Sequence, residues 1–388
     1  MNEGKATRYH RLRRRARALA SGGALVAVVT LLVSGASVGI RDAAAQVVGR
    51  GGFPAGWHQV GVAAVYTACV WVLLELLLLP VRVFQGYVLE RRYGLSRVDG
   101  VRWCGTHVAT IGLDMILAVG AAVVVSTALR LWPTAWWLVC GVAFTTSTVL
   151  MTSLAPLGVI PLLSRVTPLV EDTVSARLAT LAARAGVQPL RIYQCAVGAA
   201  TRRVQATLVG LGPTRRVLVS DTLLADYSDA EIEAVLAHEL GHHVHRDVWQ
   251  LLAFEFAVGI LALVGGGWAM ARFGAGLGLA GPTDVAALPL LALGAGAVTA
   301  ASAPLGYALS RYHERRADRF AIRVTRDPAS FVSGLRRLGA QNLVEDRPSR
   351  LVELLWHTHP PLVRRVEAAR AAGTDHETSA VRIGRPGH

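Results

Sequence analysis

Lysine is all but missing from this chain of 388 residues. Lys5 stands alone, and arginine supplies the rest of a net charge of +14. Charged residues are scarce overall, 17% against 53% hydrophobic, which is too apolar for an ordinary soluble protein. Cysteine is scarce as well. Cys69, Cys104, Cys140 and Cys195 are scattered with no CxxC and no pairing pattern, so they indicate neither a disulfide scaffold nor a cysteine-based metal site. The arginines lie between apolar stretches rather than in one patch, which argues against a nucleic-acid partner. A coding bias towards arginine, with positive charge kept in cytosolic loops, accounts for the balance. That bias also points to a bacterium with a GC-rich genome.

Long apolar runs are what the chain has in plenty, and its length allows two or three domains. Residues 1–18 are polar and basic, with Arg8, Arg11, Arg13, Arg14, Arg15 and Arg17. An apolar run at about 19–40 follows, long enough to span a bilayer. Ala43-Ala44-Ala45 just beyond it would suit a signal peptidase, so a cleaved signal is the alternative. Further spans are expected at about 59–83, 106–130, 135–160, 249–272 and 285–307, six in all. The predicted organisation is a basic N-terminus (1–18), a membrane domain of four spans (19–161), and a domain of 162–388 interrupted by two spans. Arginines crowd the N-terminus, the loop 84–105 and the regions after the fourth and sixth spans. By the positive-inside rule, both termini and the polar region 162–247 then face the cytosol of a multi-pass cell-membrane protein. Glu75 and Asp114 fall inside spans, where an ionisable group is costly and is either functional or paired with a polar partner.

The polar insert reads as mixed α and β: a helix over 171–186, a strand from Leu190 to Val197, and a hairpin of 204–209 with 217–220 around Gly210-Leu211-Gly212-Pro213. An edge strand there either holds an extended peptide by β-augmentation or is plain structural sheet. Ser228 with Glu231 forms a capping pattern opening a helix of about 229–246. That helix carries Ala237-His238-Glu239-Leu240-Gly241-His242. His238 and His242 share a face one turn apart, a spacing that binds one Zn²⁺, and Glu239 is then placed as general base for amide hydrolysis. Three fixed letters also recur by chance. A third ligand is still needed. In Ser310-Arg311-Tyr312-His313-Glu314-Arg315-Arg316-Ala317-Asp318, Glu314 and Asp318 share a helical face. Glu314 either completes a His₂Glu site, with Asp318 orienting an imidazole, or both acids pair with neighbouring arginines on a solvated helix. His313 reads as a surface residue. His243 is turned away from the ligand face, and His245 reads as a helix-end or supporting residue.

These motifs together resemble the Ste-type CAAX prenyl endopeptidases and the related heat-shock-type (HtpX) membrane zinc peptidases of the gluzincin group. The resemblance covers about 74–370. It rests on Gly86 through Ser96 (GYVLERRYGLS), Pro161 through Pro168, Asp221-Thr222-Leu223-Leu224 before the zinc helix, Ser310 through Asp318, and Thr358-His359-Pro360-Pro361 with Arg365. It implies a mainly α-helical membrane protein with a cytosolic α+β zinc peptidase domain. It further implies His238, His242 and Glu314 as metal ligands, Glu239 as base, and Asp318, His359 and Arg365 about the site. His359 is expected to stabilise the oxyanion, and Arg365 either acts there or pairs with Asp318. The implied cofactor is one Zn²⁺ per chain. The implied partners are a peptide or protein substrate, membrane-associated or lipidated, and the lipid bilayer. Three departures are visible: Gln205-Ala206 stands where the family usually has Asn-Ala, an acidic residue expected soon after Trp103 is missing, and six spans replace seven. Quality-control proteolysis is the alternative activity. A zinc-domain signal transducer is the alternative of another class, disfavoured by short outward loops.

Overall fold

The computed structural model describes residues 4–52, 54–154, 166–169, 173–187 and 191–383. The segment 155–165 lies outside them, so the end of the predicted fourth span and most of the Pro161–Pro168 block are not among the described residues. Among the described residues, six helices are long and apolar enough to cross a membrane, as predicted.

The first differs in its bounds. Helix α1 runs Lys5–Val33, so the basic segment is helical and continuous with the apolar run. The apolar run breaks at Ser34-Gly35, where Gly35 takes a left-handed φ of 74°, and a second helix, α2 (Ala36–Arg50), follows. Glycine is the residue that adopts such a φ without strain, which is why the predicted 19–40 span ends early. Helix α3 (His58–Val83) passes through a π-helical turn, Phe84–Val88, into Leu89–Arg92. Helices α4 (Gly100–Leu131) and α5 (Trp136–Leu154) complete this part. Glu75 on α3 has the polar partners that the sequence left unnamed: Arg82 at 3.0 Å and His107 at 3.7 Å.

The insert forms a four-stranded sheet of order β1-β2-β4-β3, from Val166–Pro168, Arg191–Cys195, Arg216–Ser220 and Ala206–Val209 respectively. The predicted hairpin is β3–β4, antiparallel, with Ala206 opposite Val219. Helices α6 (Thr173–Arg184), α7 (Asp221–Asp226) and α8 (Asp229–Val244) surround it. The capping box opens α8 as the sequence suggests: Ser228 Oγ accepts from Glu231 N–H, and Glu231 accepts from Ser228 N–H. Leu181, Val219, Ile232, Leu236, Phe320 and Leu335 close a common core beneath.

Two long helices tie this domain to the membrane part. They are α9 (Asp247–Phe273) and α10 (Leu288–Thr325). They pack through small residues: a Cβ at Gly294 would come within 2.8 Å of Ala269 Cβ and 2.9 Å of Gly265 O. Such close backbone approach is how helices associate in an apolar surrounding. Because α10 is continuous for 38 residues, one rigid rod carries both a span and, beyond it, Glu314 and Asp318. Helices α11 (Pro328–Gln341), α12 (Arg350–Trp356) and α13 (Leu362–Ile383) finish the chain.

Candidate metal centre and its chamber

The centre is made where α8 crosses α10. Gly241 sits at the contact, and a Cβ there would lie 3.1 Å from Ala317 Cα. Both residues are buried. The glycine lets the two backbones close up, which brings the His238–His242 face of α8 against Glu314. The Nε2 atoms of His238 and His242 lie 3.3 Å apart, with their rings at 90°. Glu314 Oε2 is 3.4 Å from His238 Nε2, and its Oε1 is 3.5 Å from His242 Nε2.

The far side of each ring fixes what those atoms are. Asp247 Oδ2 hydrogen-bonds His242 Nδ1 at 2.7 Å, and Asp318 Oδ1 lies 2.9 Å from His238 Nδ1. A carboxylate at Nδ1 holds the proton there and leaves Nε2 with its lone pair. Two lone pairs and a carboxylate therefore converge, and Glu314 Oε2 is buried without a hydrogen-bond donor. Such a set is repulsive unless a cation lies among it. Metal–donor bonds of about 2.0–2.1 Å in a tetrahedron put the donors about 3.3–3.4 Å apart, close to the separations of the two Nε2 atoms and of His238 Nε2 from Glu314 Oε2. The residues present fit a metal ion of that kind.

The electrostatics agree. Burial alone would lower the imidazole pKa values. Asp318 and Glu314 instead push His238 up to about 10, and Asp247 and Glu314 push His242 up to about 9. The site thus favours positive charge, which a proton on each Nε2 or a metal ion in place of those protons would supply. Burial raises the pKa of Glu239, which borders the same chamber and accepts a hydrogen bond from Leu208 N–H at 3.2 Å.

Arg365 pairs with Asp318, the second of the two places the sequence left open. Its Nε and Nη2 clamp Asp318 at 2.8 and 2.6 Å, and its Nη2 lies 3.5 Å from Glu314. His359 is exposed to the chamber, with Nε2 3.2 Å from Glu314 Oε1. His245 ends α8, its Nδ1 2.6 Å from Gly241 O, and does not join the ligand atoms. His243 contacts Arg215 instead. His313 corrects the reading of a surface residue: it is buried between α10 and α9, with Nε2 3.1 Å from Gln250 Oε1. Asp247, which Arg316 also contacts, went unrecognised in the sequence. Its signal was there, an acid five residues after His242 at the mouth of an apolar span.

Comparison with known proteins agrees with this geometry. Residues 168–372 match peptidase family M48, and residues 4–165 match the CAAX prenyl protease N-terminal family, described as five membrane helices. Among the described residues before 155, four helices, α1, α3, α4 and α5, are long and apolar enough to span, and α2 is a shorter helix between the first two. An uncharacterised metalloprotease, YhfN, of Bacillus subtilis is 24% identical over 292 residues, 73% of this chain and 68% of that protein. CAAX prenyl protease 1 of Saccharomyces cerevisiae is 25% identical over 208 residues, 52% of this chain and 46% of that one. A protease HtpX homolog of Streptomyces coelicolor is 36% identical over 139 residues, 34% of this chain and 43% of that one. The crystal structure of S. mikatae Ste24p superposes with a TM-score of 0.79 at 19% identity, covering 94% of this chain and 87% of that one. The protein is a multi-pass membrane metalloendopeptidase, and the chain belongs to peptidase family M48.

Proposed function

We propose that His238, His242 and Glu314 hold one Zn²⁺ and that the protein cleaves membrane-associated or lipidated substrates, CAAX prenyl protease-like, at the cytosolic face of the cell membrane. The convergence of two imidazole Nε2 atoms and a carboxylate at 3.3–3.5 Å carries the reading. When bound, zinc supplies Lewis-acid polarisation of the scissile carbonyl and a lowered pKa for a water. The chain does the rest. Glu239, ionised, takes a proton from the attacking water and returns it to the leaving amine nitrogen. A carboxyl with a raised pKa suits both halves of that transfer. His359 Nε2 is the side-chain donor offered to the developing oxyanion. Asp318 and Asp247 hold the ligand imidazoles in one tautomer, and Arg365 fixes Asp318.

Strand β3 is the expected substrate rail. Gln205 O accepts from Ser220 N–H, so Gln205 and Thr207 turn their backbone groups towards β4. By the alternation of an antiparallel ladder, Ala206 and Leu208 turn theirs outward, and Leu208 N–H indeed reaches Glu239. Ala206 and Thr207 line the chamber, so a peptide added at this edge would cross the reacting groups. In this reading the chain divides into a membrane domain up to residue 161 and a peptidase domain, 162–388, interrupted by two spans. The arginine-rich loops support cytosolic placement of the site and both termini.

Quality-control cleavage of membrane proteins is the second reading, favoured by the identity of 36% to an HtpX homolog over 139 residues. C-terminal proteomics of membrane proteins in cells carrying Glu239→Gln against wild type separates the two. Accumulation of a few defined C-termini supports processing, and a broad set of damaged proteins supports quality control. For the chemistry itself, zinc bound stoichiometrically by the double variant His238→Ala/His242→Ala would refute the site.

A further inference from the structure

One wall of the catalytic chamber has no task in the hydrolysis above. The chamber is about 620 Å³, and His10, Arg13, Arg14 and Arg17 line it together with His238, Glu239 and Glu314. Those four positions are i, i+3, i+4 and i+7 on α1, so they form a single stripe of one helix face. Arg8, Arg11 and Arg15 lie off that stripe and are exposed; on it, Arg13 and Arg14 are half-buried and Arg17 is exposed. Arginines that served only to mark the inner end of a span would have no reason to turn towards the reacting groups.

Part of this wall is already neutralised. Arg14 Nη1 is 2.6 Å from the buried Glu345, and Arg203 Nη2 is 2.9 Å from Glu90 and 3.0 Å from Tyr9 Oη. Arg13 and Arg17 are different: among the described residues neither has a carboxylate within ion-pair distance, and Arg13 lies 5.9 Å over the Tyr9 ring. Two guanidinium groups therefore face a cavity built to receive a peptide, with their charge unmatched by acid.

We propose that Arg13 and Arg17 seat a carboxylate of the substrate and so determine specificity for peptides bearing negative charge beyond the cleavage point. Guanidinium groups suit this because they bind carboxylates through paired, charge-assisted hydrogen bonds. The strand geometry supplies the direction. Leu208 marks the reacting groups, and the chain leads back from it through Ala206 and Gln205 to Arg203, which touches Tyr9, one turn before Arg13 on α1. A peptide lying on the outward edge of β3 runs towards the stripe. Paired antiparallel, it presents its C-terminal side there. The carboxylate is then either the chain terminus or an acidic side chain near it. The inference rests on the peptidase reading and its β3 rail, and a binding measurement tests it apart from turnover.

The test uses full-length Glu239→Gln protein in uncharged detergent and fluorescence anisotropy with three labelled peptides of one neutral sequence. One is a free acid, one a C-terminal amide, and one the amide with a Glu near its C-terminus. The expected result is that the free acid, the Glu-bearing amide or both bind about tenfold or more tighter than the neutral amide, the size of a charge-assisted hydrogen bond. Tight binding of the free acid alone assigns the chain terminus, and tight binding of the Glu peptide assigns a side chain. Adding Arg13→Gln/Arg17→Gln should erase the preference. Adding Arg8→Gln/Arg15→Gln removes the same charge from exposed positions and should keep it. Equal binding of all three peptides overturns the proposal, as does a preference that survives Arg13→Gln/Arg17→Gln. An effect of that double change confined to anionic phosphatidylglycerol vesicles would also overturn it and assign these arginines to the membrane surface. Failure of the parent protein, with Glu239 restored, to cleave any of the peptides would count instead against the peptidase reading.

Discussion

Asp247→Asn isolates the part of the site that lies behind a ligand rather than on it. The side chain keeps its shape and can still accept from His242 Nδ1–H, but the 2.7 Å bond loses its charge. A hydrogen bond to a charged partner contributes about 1.5–3 kcal/mol and a neutral one about 1. The difference, about 0.5–2 kcal/mol, is centred on roughly a tenfold change in an equilibrium constant. Arg316 adds to it, because this guanidinium also loses the carboxylate it contacts and is left beside a ligand imidazole. Zinc affinity should therefore fall by about 10–100-fold, the range typical for groups that orient a ligand. Asp247 also opens α9 and is buried between His242 and Arg316, so the zinc-free protein should melt lower as well, and the change in zinc affinity is read separately from that loss. Zinc titration against a competing chelator, run beside thermal unfolding of the zinc-free protein, gives both numbers. Wild-type zinc affinity in Asp247→Asn would refute the argument that this carboxylate sets the tautomer of His242.

Much of this site was legible in sequence because its parts are local and periodic. A four-residue spacing on a capped helix puts His238 and His242 on one face whatever surrounds them. The same holds for Glu314 and Asp318 on α10. The contact between the two helices was harder to see, since it depends on Gly241 meeting Ala317 across 76 positions of sequence. Motif resemblance, rather than spacing, supplied that pairing. Asp247 was missed because an acid at the head of an apolar run reads as a helix-start residue, which it also is. His313 was misjudged because burial is a tertiary property: its neighbours on α10 are arginines, and Gln250 on α9 is what covers it. The early end of the first span turned on Gly35, one glycine in a run that also holds Gly22 and Gly23, where the helix continues. Local sequence does not say which glycine will take a positive φ.

Three further outcomes test the remaining groups. Glu314→Ala should leave the protein nearly metal-free in chelator competition, since two histidines remain. A surface ion-pair partner would cost only about 0–1 kcal/mol, so wild-type affinity would remove Glu314 from the ligand set. Glu239→Gln should retain stoichiometric zinc by metal analysis while peptide cleavage is lost, because the base goes and the ligands stay; substantial residual cleavage would place the base elsewhere. Ala206→Pro tests the rail. Ala206 turns its N–H away from β4, so proline there removes no hydrogen bond of the sheet, and an outward position on an edge strand is where proline is tolerated. Zinc content and melting should therefore be near wild type. A substrate hydrogen bond would be gone, and the ring would crowd the edge along which the peptide lies. Peptide KM should rise by about tenfold for the loss of one such bond with its partner left unpaired. Unchanged KM in a folded, zinc-loaded Ala206→Pro protein would mean that the substrate does not pair with β3, and the chamber would then have to be entered by another route.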